Sequence, residues 1–132
     1  MSLRIALAVV ALAFSFAARA EDKIIVRNVI HFDPDTVTMG PVAKEIIKDI
    51  THELIKAERY KRVVVVGYCD TADKAPTLLS RFRAKAIADH MLASGLPSWI
   101  KLEYRGEGTN NPKVKTGPGI REPYNRRATI SY

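Results

Sequence analysis

Four consecutive valines, Val63 to Val66, follow Arg62 and stop at Gly67. An unbroken β-branched run signals a strand covered on both faces, because a strand with one wet face alternates apolar and polar residues. The segment is therefore expected to be a central strand rather than an edge, and the rest of the chain must supply its neighbours. Residues 24–32 (IIVRNVIHF) are rich in β-branched residues and read as a first strand. Asp33-Pro34-Asp35 ends it, since proline lacks the N–H that a ladder needs.

Gly40-Pro41 then opens a helix whose apolar positions, 42, 46, 47, 50, 54 and 55, form one stripe. Lys44, Lys48, His52 and Lys56 fall on a different stripe, a solvated face, and the helix is expected to fade by Tyr60. A second helix starts near Thr77, with Leu79, Phe82, Ala86, Ile87 and Met91 as its expected inner surface and Ser94-Gly95 as its stop. Ile100, Leu102 and Tyr104 alternate with Lys101, Glu103 and Arg105, as in a half-buried strand. Residues 106–124 hold four of the seven glycines and three of the seven prolines and read as a long surface loop. Ala128, Ile130 and Tyr132 alternate with polar residues in a last strand. The order β-α-β-α-β-β predicts an α+β fold, two helices packed on one face of a four-stranded mixed sheet.

The N-terminus sets the compartment. Arg4 precedes fourteen uncharged residues, Ile5 to Ala18, and then Ala18-Arg19-Ala20. A basic start, a short apolar run and a small-x-small site predict a secretory signal peptide over residues 1–20. Fourteen residues are too few to span a bilayer, which takes about 20. Cleavage would remove two of the 21 basic residues and none of the 14 acidic ones, leaving +5 over residues 21–132. That length is one domain. No later stretch predicts an integral membrane span, and Ala20-Glu21 offers no cysteine for lipid attachment. Cys69 is the single cysteine, so no disulfide forms within the chain. The reading is a mildly basic periplasmic domain, outer-membrane or cell-wall associated, whose charge suits an anionic polymer.

Little in the sequence suggests catalysis. His31, His52 and His90 sit at unrelated spacings on a strand and two helices, and Cys69 has no cysteine partner, so no metal set is expected. Gly106-Glu107-Gly108 lacks the following helix that a phosphate-cradling loop needs. Neither an enzyme nor a cofactor is expected, although a small periplasmic enzyme using Cys69 as nucleophile stays as a minor alternative. Nucleic acid is excluded by compartment and by the lack of aromatic interleaving. More informative is Gly67-Tyr68-Cys69-Asp70, where the valine strand surfaces, with Arg83 thirteen residues later and Asn125-Arg126-Arg127 entering the last strand. In this fold the end of a central strand adjoins the first turns of the next helix. Asp70 and Arg83 can therefore face one shallow site that matches a zwitterion, or serve structure alone by capping a turn and pairing.

Four segments in order resemble the OmpA-like C-terminal domain, the peptidoglycan-associating module also found in MotB-type stators and Pal-type lipoproteins. They are Gly67-Tyr68-Cys69-Asp70, Leu79-Ser80-Arg81-Phe82-Arg83-Ala84, Gly106-Glu107-Gly108 and Asn125-Arg126-Arg127. Phe32-Asp33-Pro34-Asp35 and residues 116–123 are similar to the family's first turn and late loop. The resemblance covers residues 29–132 and implies non-catalytic, non-covalent binding of peptidoglycan. Asp70 and Arg83 would hold the diaminopimelate of the stem peptide, with Arg126 and Arg127 approaching the site. Three departures bear on this. Tyr68-Cys69 stands for the usual His-Thr, the Asp70–Arg83 loop is about two residues short, and Pro76 replaces a common asparagine. These favour a rival reading, a degenerate member that acts as a periplasmic protein-interaction scaffold. In either case another envelope protein is a candidate partner.

Overall fold

The computed structural model describes residues 23–132, so the expected leader and its boundary near Glu21 lie outside the described residues. The chain runs β1 (Val26–His31), α1 (Pro41–Ala57), β2 (Arg62–Gly67), α2 (Pro76–Ala93), β3 (Lys101–Gly106), a 3-10 turn (Pro123–Asn125) and β4 (Arg127–Ser131). This is the expected α+β order. The sheet order is β1-β4-β2-β3, with β2 parallel to β3 and β4 antiparallel to both β1 and β2. The sheet is mixed, and β2 is interior, as four valines in a row require. All four are buried, Val63 and Val65 in the main core and Val64 and Val66 on the opposite face beside Ser131 and Thr129.

β4 is also interior, and its polar positions Arg127, Thr129 and Ser131 are buried too, though less completely than the expected Ala128 and Ile130. The helices cover the core face with Ile47, Ile50 and Leu54 from α1 and Ala84, Ile87 and Met91 from α2. The inner surfaces of both helices differ from expectation, and on β3 Tyr104, expected on the covered side, is 36% exposed. On α1, Val42 and Ile46 are exposed, and the buried stripe narrows to Ile47, Ile50, Thr51 and Leu54, where the Thr51 hydroxyl donates back to the Ile47 carbonyl. On α2, Phe82 is exposed while Ser80, Arg83 and Ala88 turn inward.

The physical reason is the closeness of α2 to the strand ends. A Cβ on Gly67 would run into the Ser80 carbonyl, and one on Gly106 into the Ser80 side chain and the Arg81 backbone. Only glycine permits that approach. At such a distance the inner face of the first turns has room for serine and for an arginine reaching past the sheet, and none for phenylalanine.

Because β1, β2 and β3 run the same way and β4 runs against them, the domain has two poles. At one pole β1, β2 and β3 end, β4 starts, and the N-termini of both helices lie. At the other β1, β2 and β3 start, β4 ends, and the helices finish.

Candidate functional site

The pole where β2 ends gathers three carboxylates and three guanidinium groups. Asp70 follows β2 and is fully buried. Its Oδ1 accepts from the N–H groups of Ala72 (3.1 Å) and Asp73 (2.8 Å), which folds the chain into a tight turn after the strand. Its Oδ2 accepts from the Glu122 N–H at 3.1 Å and from Arg126 Nη1 at 2.9 Å. Arg126, at the entrance to β4, also donates through Nε to the Phe32 carbonyl at 2.9 Å.

Arg83 is likewise fully buried. Its Nε donates to the Thr36 carbonyl, Nη1 to the Tyr68 carbonyl and Asp73 Oδ2 (2.8 Å), and Nη2 to the Asp33 carbonyl and Asp73 Oδ1 (3.4 Å). All five guanidinium N–H donors are thereby used, and the group lies 5.3 Å from the centre of the Phe32 ring.

Asp70 and Arg83 are therefore near neighbours but not partners. What joins them is Asp73, whose Oδ2 accepts from both the Asp70 N–H (3.0 Å) and Arg83 Nη1, while its Oδ1 accepts from the Asp35 N–H (2.8 Å). Burial alone would raise the Asp73 pKa, but the bonds from Arg83 and from the Asp35 and Asp70 amides hold it below the ordinary carboxylate value. A buried carboxylate needs such compensation to stay charged.

Arg121 closes the cluster from outside. Its Nη2 reaches Asp35 Oδ2 at 2.7 Å, and its Nη1 reaches Asp73 Oδ1 at 3.1 Å and Asp70 Oδ1 at 3.4 Å. The hydrogen bond to Asp35 raises the Arg121 pKa, and bonds from the Lys74 amide and from Arg121 lower that of Asp35. Arg121 and Asp35 keep 41% and 34% of their side chains exposed, whereas Asp70, Asp73 and Arg83 keep none. The solvent-facing part of the network is thus an arginine laid across three carboxylates.

The loop between β3 and β4 holds Arg121 in place. The Thr71 hydroxyl donates to the Gly117 carbonyl at 2.7 Å and accepts from the Ile120 N–H at 2.9 Å. Asn125 clamps Val114 through both main-chain groups, at 2.9 and 2.7 Å. Ser80 Oγ accepts from the Gly108 N–H at 2.9 Å, tying the Gly106-Glu107-Gly108 turn to α2. Several of the quoted motif residues thus build the pole rather than face outward from it.

Of the four residues singled out in the sequence, the structure brings Asp70, Arg83 and Arg126 into one network. Arg127 lies elsewhere, with its guanidinium carbon 3.8 Å from the Tyr68 ring centre and Nη2 donating to the Asn111 carbonyl at 3.2 Å. Its Nη1 is buried without a partner among the described residues, and burial lowers its pKa. Asp73, Asp35 and Arg121 were missed as participants. Asp73 had a local signal, the Asp-x-x-Asp spacing from Asp70. Arg121, 48 residues from Asp73, had only the likeness of residues 116–123 to the family's late loop.

Cys69 is 2% exposed, and its Sγ lies 3.4 Å from the Pro76 carbonyl it donates to. Burial pushes its thiol up to about 12, which keeps it protonated at neutral pH and argues against a nucleophile.

The sequence profile of the OmpA family matches residues 31–126. The chain belongs to the OmpA family. An "Outer membrane protein" of Gluconacetobacter diazotrophicus is 29% identical over 109 residues, 76% of this chain but 28% of that protein's length. Among solved structures, the OmpA-like domain of FopA1 from Francisella tularensis superposes with a TM-score of 0.67 at 23% identity, covering 83% of this chain and 77% of that one. The C-terminal domain of Helicobacter pylori MotB gives 0.67 at 18%, covering 79% and 83%. The peptidoglycan-associated lipoprotein of Burkholderia pseudomallei gives 0.66 at 17%, covering 80% and 91%. At these identities the structural likenesses establish the fold, that of an OmpA-like domain. The family places the chain among envelope proteins.

Proposed function

We propose that this domain binds peptidoglycan non-covalently and without catalysis, through the diaminopimelate of the stem peptide. The observation that carries the reading is Arg121, an exposed cation resting on Asp35, Asp70 and Asp73 above a buried layer of arginines. A ligand ammonium has the same charge and hydrogen-bonding character as the group already seated there. In the exchange we propose, the ammonium takes the carboxylates and the displaced Arg121 forks onto the ligand's carboxylate. Charge balance at the pole is then kept throughout.

Asp70 is the principal acceptor in this reading, with Arg83 holding Asp73 ionised and Arg126 holding Asp70 in place. Arg127, buried against Tyr68 and outside this network, has no direct part in the exchange. The likeness to a peptidoglycan-associated lipoprotein supports the ligand class, and the single-domain sheet with a polar loop over one end supports a binding role. We further propose that the protein works in the periplasm after loss of residues 1–20. Among the described residues no helix is long and apolar enough to cross a membrane.

One observation favours the scaffold reading instead. Every donor of Arg83 and both oxygens of Asp70 are already satisfied within the chain. Co-sedimentation with purified sacculi separates the two. Wall binding brings the protein into the pellet, and free diaminopimelate releases it. A scaffold stays in the supernatant under both conditions.

A further inference from the structure

The opposite pole carries charge of a different kind. A cleft of about 700 Å³ opens there between the start of β1, the start of β2 and the end of β4. Lys23, Arg27, Arg59, Lys61 and Arg62 line it, with Tyr60 and Tyr132, and no acidic side chain does; Arg27 Nε donates to the Tyr132 main-chain oxygen at 2.8 Å. Arg62 is paired with Glu103 at 2.7 Å, outside the cleft, and Lys101 shares the same carboxylate. Lys23, Arg59 and Lys61 have no carboxylate partner among the described residues, and Glu53 is the acid of the adjoining groove.

These cations are braced by aromatic rings. Arg59 lies 4.9 Å from the Tyr60 ring centre and donates to the Tyr60 hydroxyl at 2.7 Å. Arg27 lies 5.7 and 5.2 Å from the Tyr60 and Tyr132 rings, which themselves meet edge to face at 5.1 Å. Lys61 sits 4.9 Å from Trp99. Ring stacking fixes the direction of a guanidinium without neutralising it, leaving the donors not already bonded to Tyr60 and Tyr132 for an anion.

The C-terminal carbonyls of α1 account for a cation or two. They do not account for the exposed apolar groups at the same pole, Ile25, Val26 and Trp99. Clustered Lys and Arg beside exposed aliphatic and indole groups is the composition of a surface that meets lipid head groups.

We propose that this pole docks on an anionic phospholipid surface, the cleft arginines and lysines taking the phosphates and Trp99 entering the head-group layer. With the wall site at the other pole, one domain could then touch wall and membrane together. The docking surface shares no residue with that site and stands or falls without it.

Trp99 is the single tryptophan of the chain, so its emission reports on this pole alone. The test uses protein recovered in soluble form from cells expressing the full chain. It is mixed with vesicles of phosphatidylcholine alone or of phosphatidylcholine with phosphatidylglycerol. A blue shift and co-sedimentation are expected with the anionic vesicles and not with the neutral ones, fading as salt is raised. Reversing Arg59→Glu and Lys61→Glu together should lower the bound fraction about tenfold or more. The control Lys113→Glu with Lys115→Glu, on the loop at the other pole, should change it far less. Equal loss in both variants, or no blue shift at low salt, overturns the proposal. Tight binding of inorganic pyrophosphate without vesicle binding overturns it too, in favour of a soluble anion.

Discussion

The two ends of this domain use similar arginines in opposite ways. Where β2 ends, Arg83, Arg121 and Arg126 are interlocked with Asp35, Asp70 and Asp73, and the deepest of these groups are shut off from water. Where β2 begins, Arg27, Arg59 and Lys61 lean on tyrosine and tryptophan rings and remain solvated. The difference follows from dielectric environment. A charge out of water is tolerated only when paired and hydrogen-bonded, whereas a solvated one can stand near its like at little cost. The first pole therefore stores stability in its charges, and the second holds charge in readiness for a partner. Substitutions at the two ends should fail differently.

The largest contrast is expected between Arg83→Ala and Arg59→Ala. Removing Arg83 strands Asp73 in the interior, and breaking a buried pair in this way costs about 3–5 kcal/mol. Against a total of about 5–15 kcal/mol, that brings the domain close to unfolding. Arg59 is solvated, and its loss should fall within about ±0.5 kcal/mol. Urea unfolding of both variants checks this, and similar midpoints would dissolve the contrast.

Acid should act mainly on the buried pole, since Glu103, held below its ordinary value by Arg62 and Lys101 at the other, is in solvent-exposed pairs. The folded Asp73 and Asp35 lie below the ordinary carboxylate value, held there by hydrogen bonds from Arg83, Arg121 and backbone amides. Their stabilisation is therefore complete above the unfolded value of about 3.9 and is lost as pH falls through the folded one. Thermal melts should show stability dropping below about pH 4, and Asp73→Asn should flatten that limb while lowering the plateau. An unchanged acid limb would mean other carboxylates dominate it.

Arg121→Ala should lower stability only slightly, far less than Arg83→Ala, because this guanidinium is substantially exposed. Its effect on wall binding should be larger. Losing the fork for the ligand's carboxylate should weaken binding about ten- to a hundredfold, from the 1.5–3 kcal/mol of a charged hydrogen bond. Sacculus binding that is unchanged or tighter would show that Arg121 merely plugs the site.

How far the sequence could be read also differs between regions. The valine run, the Gly-Pro and Ser-Gly boundaries and the alternating third strand are local patterns, and the sheet and both helices formed where they indicate. Helix inner faces were read less well, because Phe82 and Val42 have the right periodicity but no surface to meet, while Ser80 and Arg83 are drawn inward by Gly67 and Gly106 on the strands beneath. At the candidate site, residue types were legible and partnerships were not. Spacing placed Asp70 and Arg83 side by side, but the bonds that decide their roles run to Asp73, to Arg126 and to main-chain carbonyls of residues 33–36. The basic pole left no motif at all, since its cations come from two separate segments, residues 23–27 and 59–62, that only the antiparallel return of β4 brings together.

Titration of the 15N-labelled protein with diaminopimelate, followed by amide chemical shifts, tests the central claim most directly. The amides of Ala72, Asp73 and Glu122 donate to the Asp70 carboxylate and should report any change in what it holds. The account predicts saturable shifts at these three and at Arg121, with the amides of Arg27, Tyr60 and Lys61 unmoved. Shifts confined to the basic pole, or none anywhere while the protein pellets with sacculi, would contradict it.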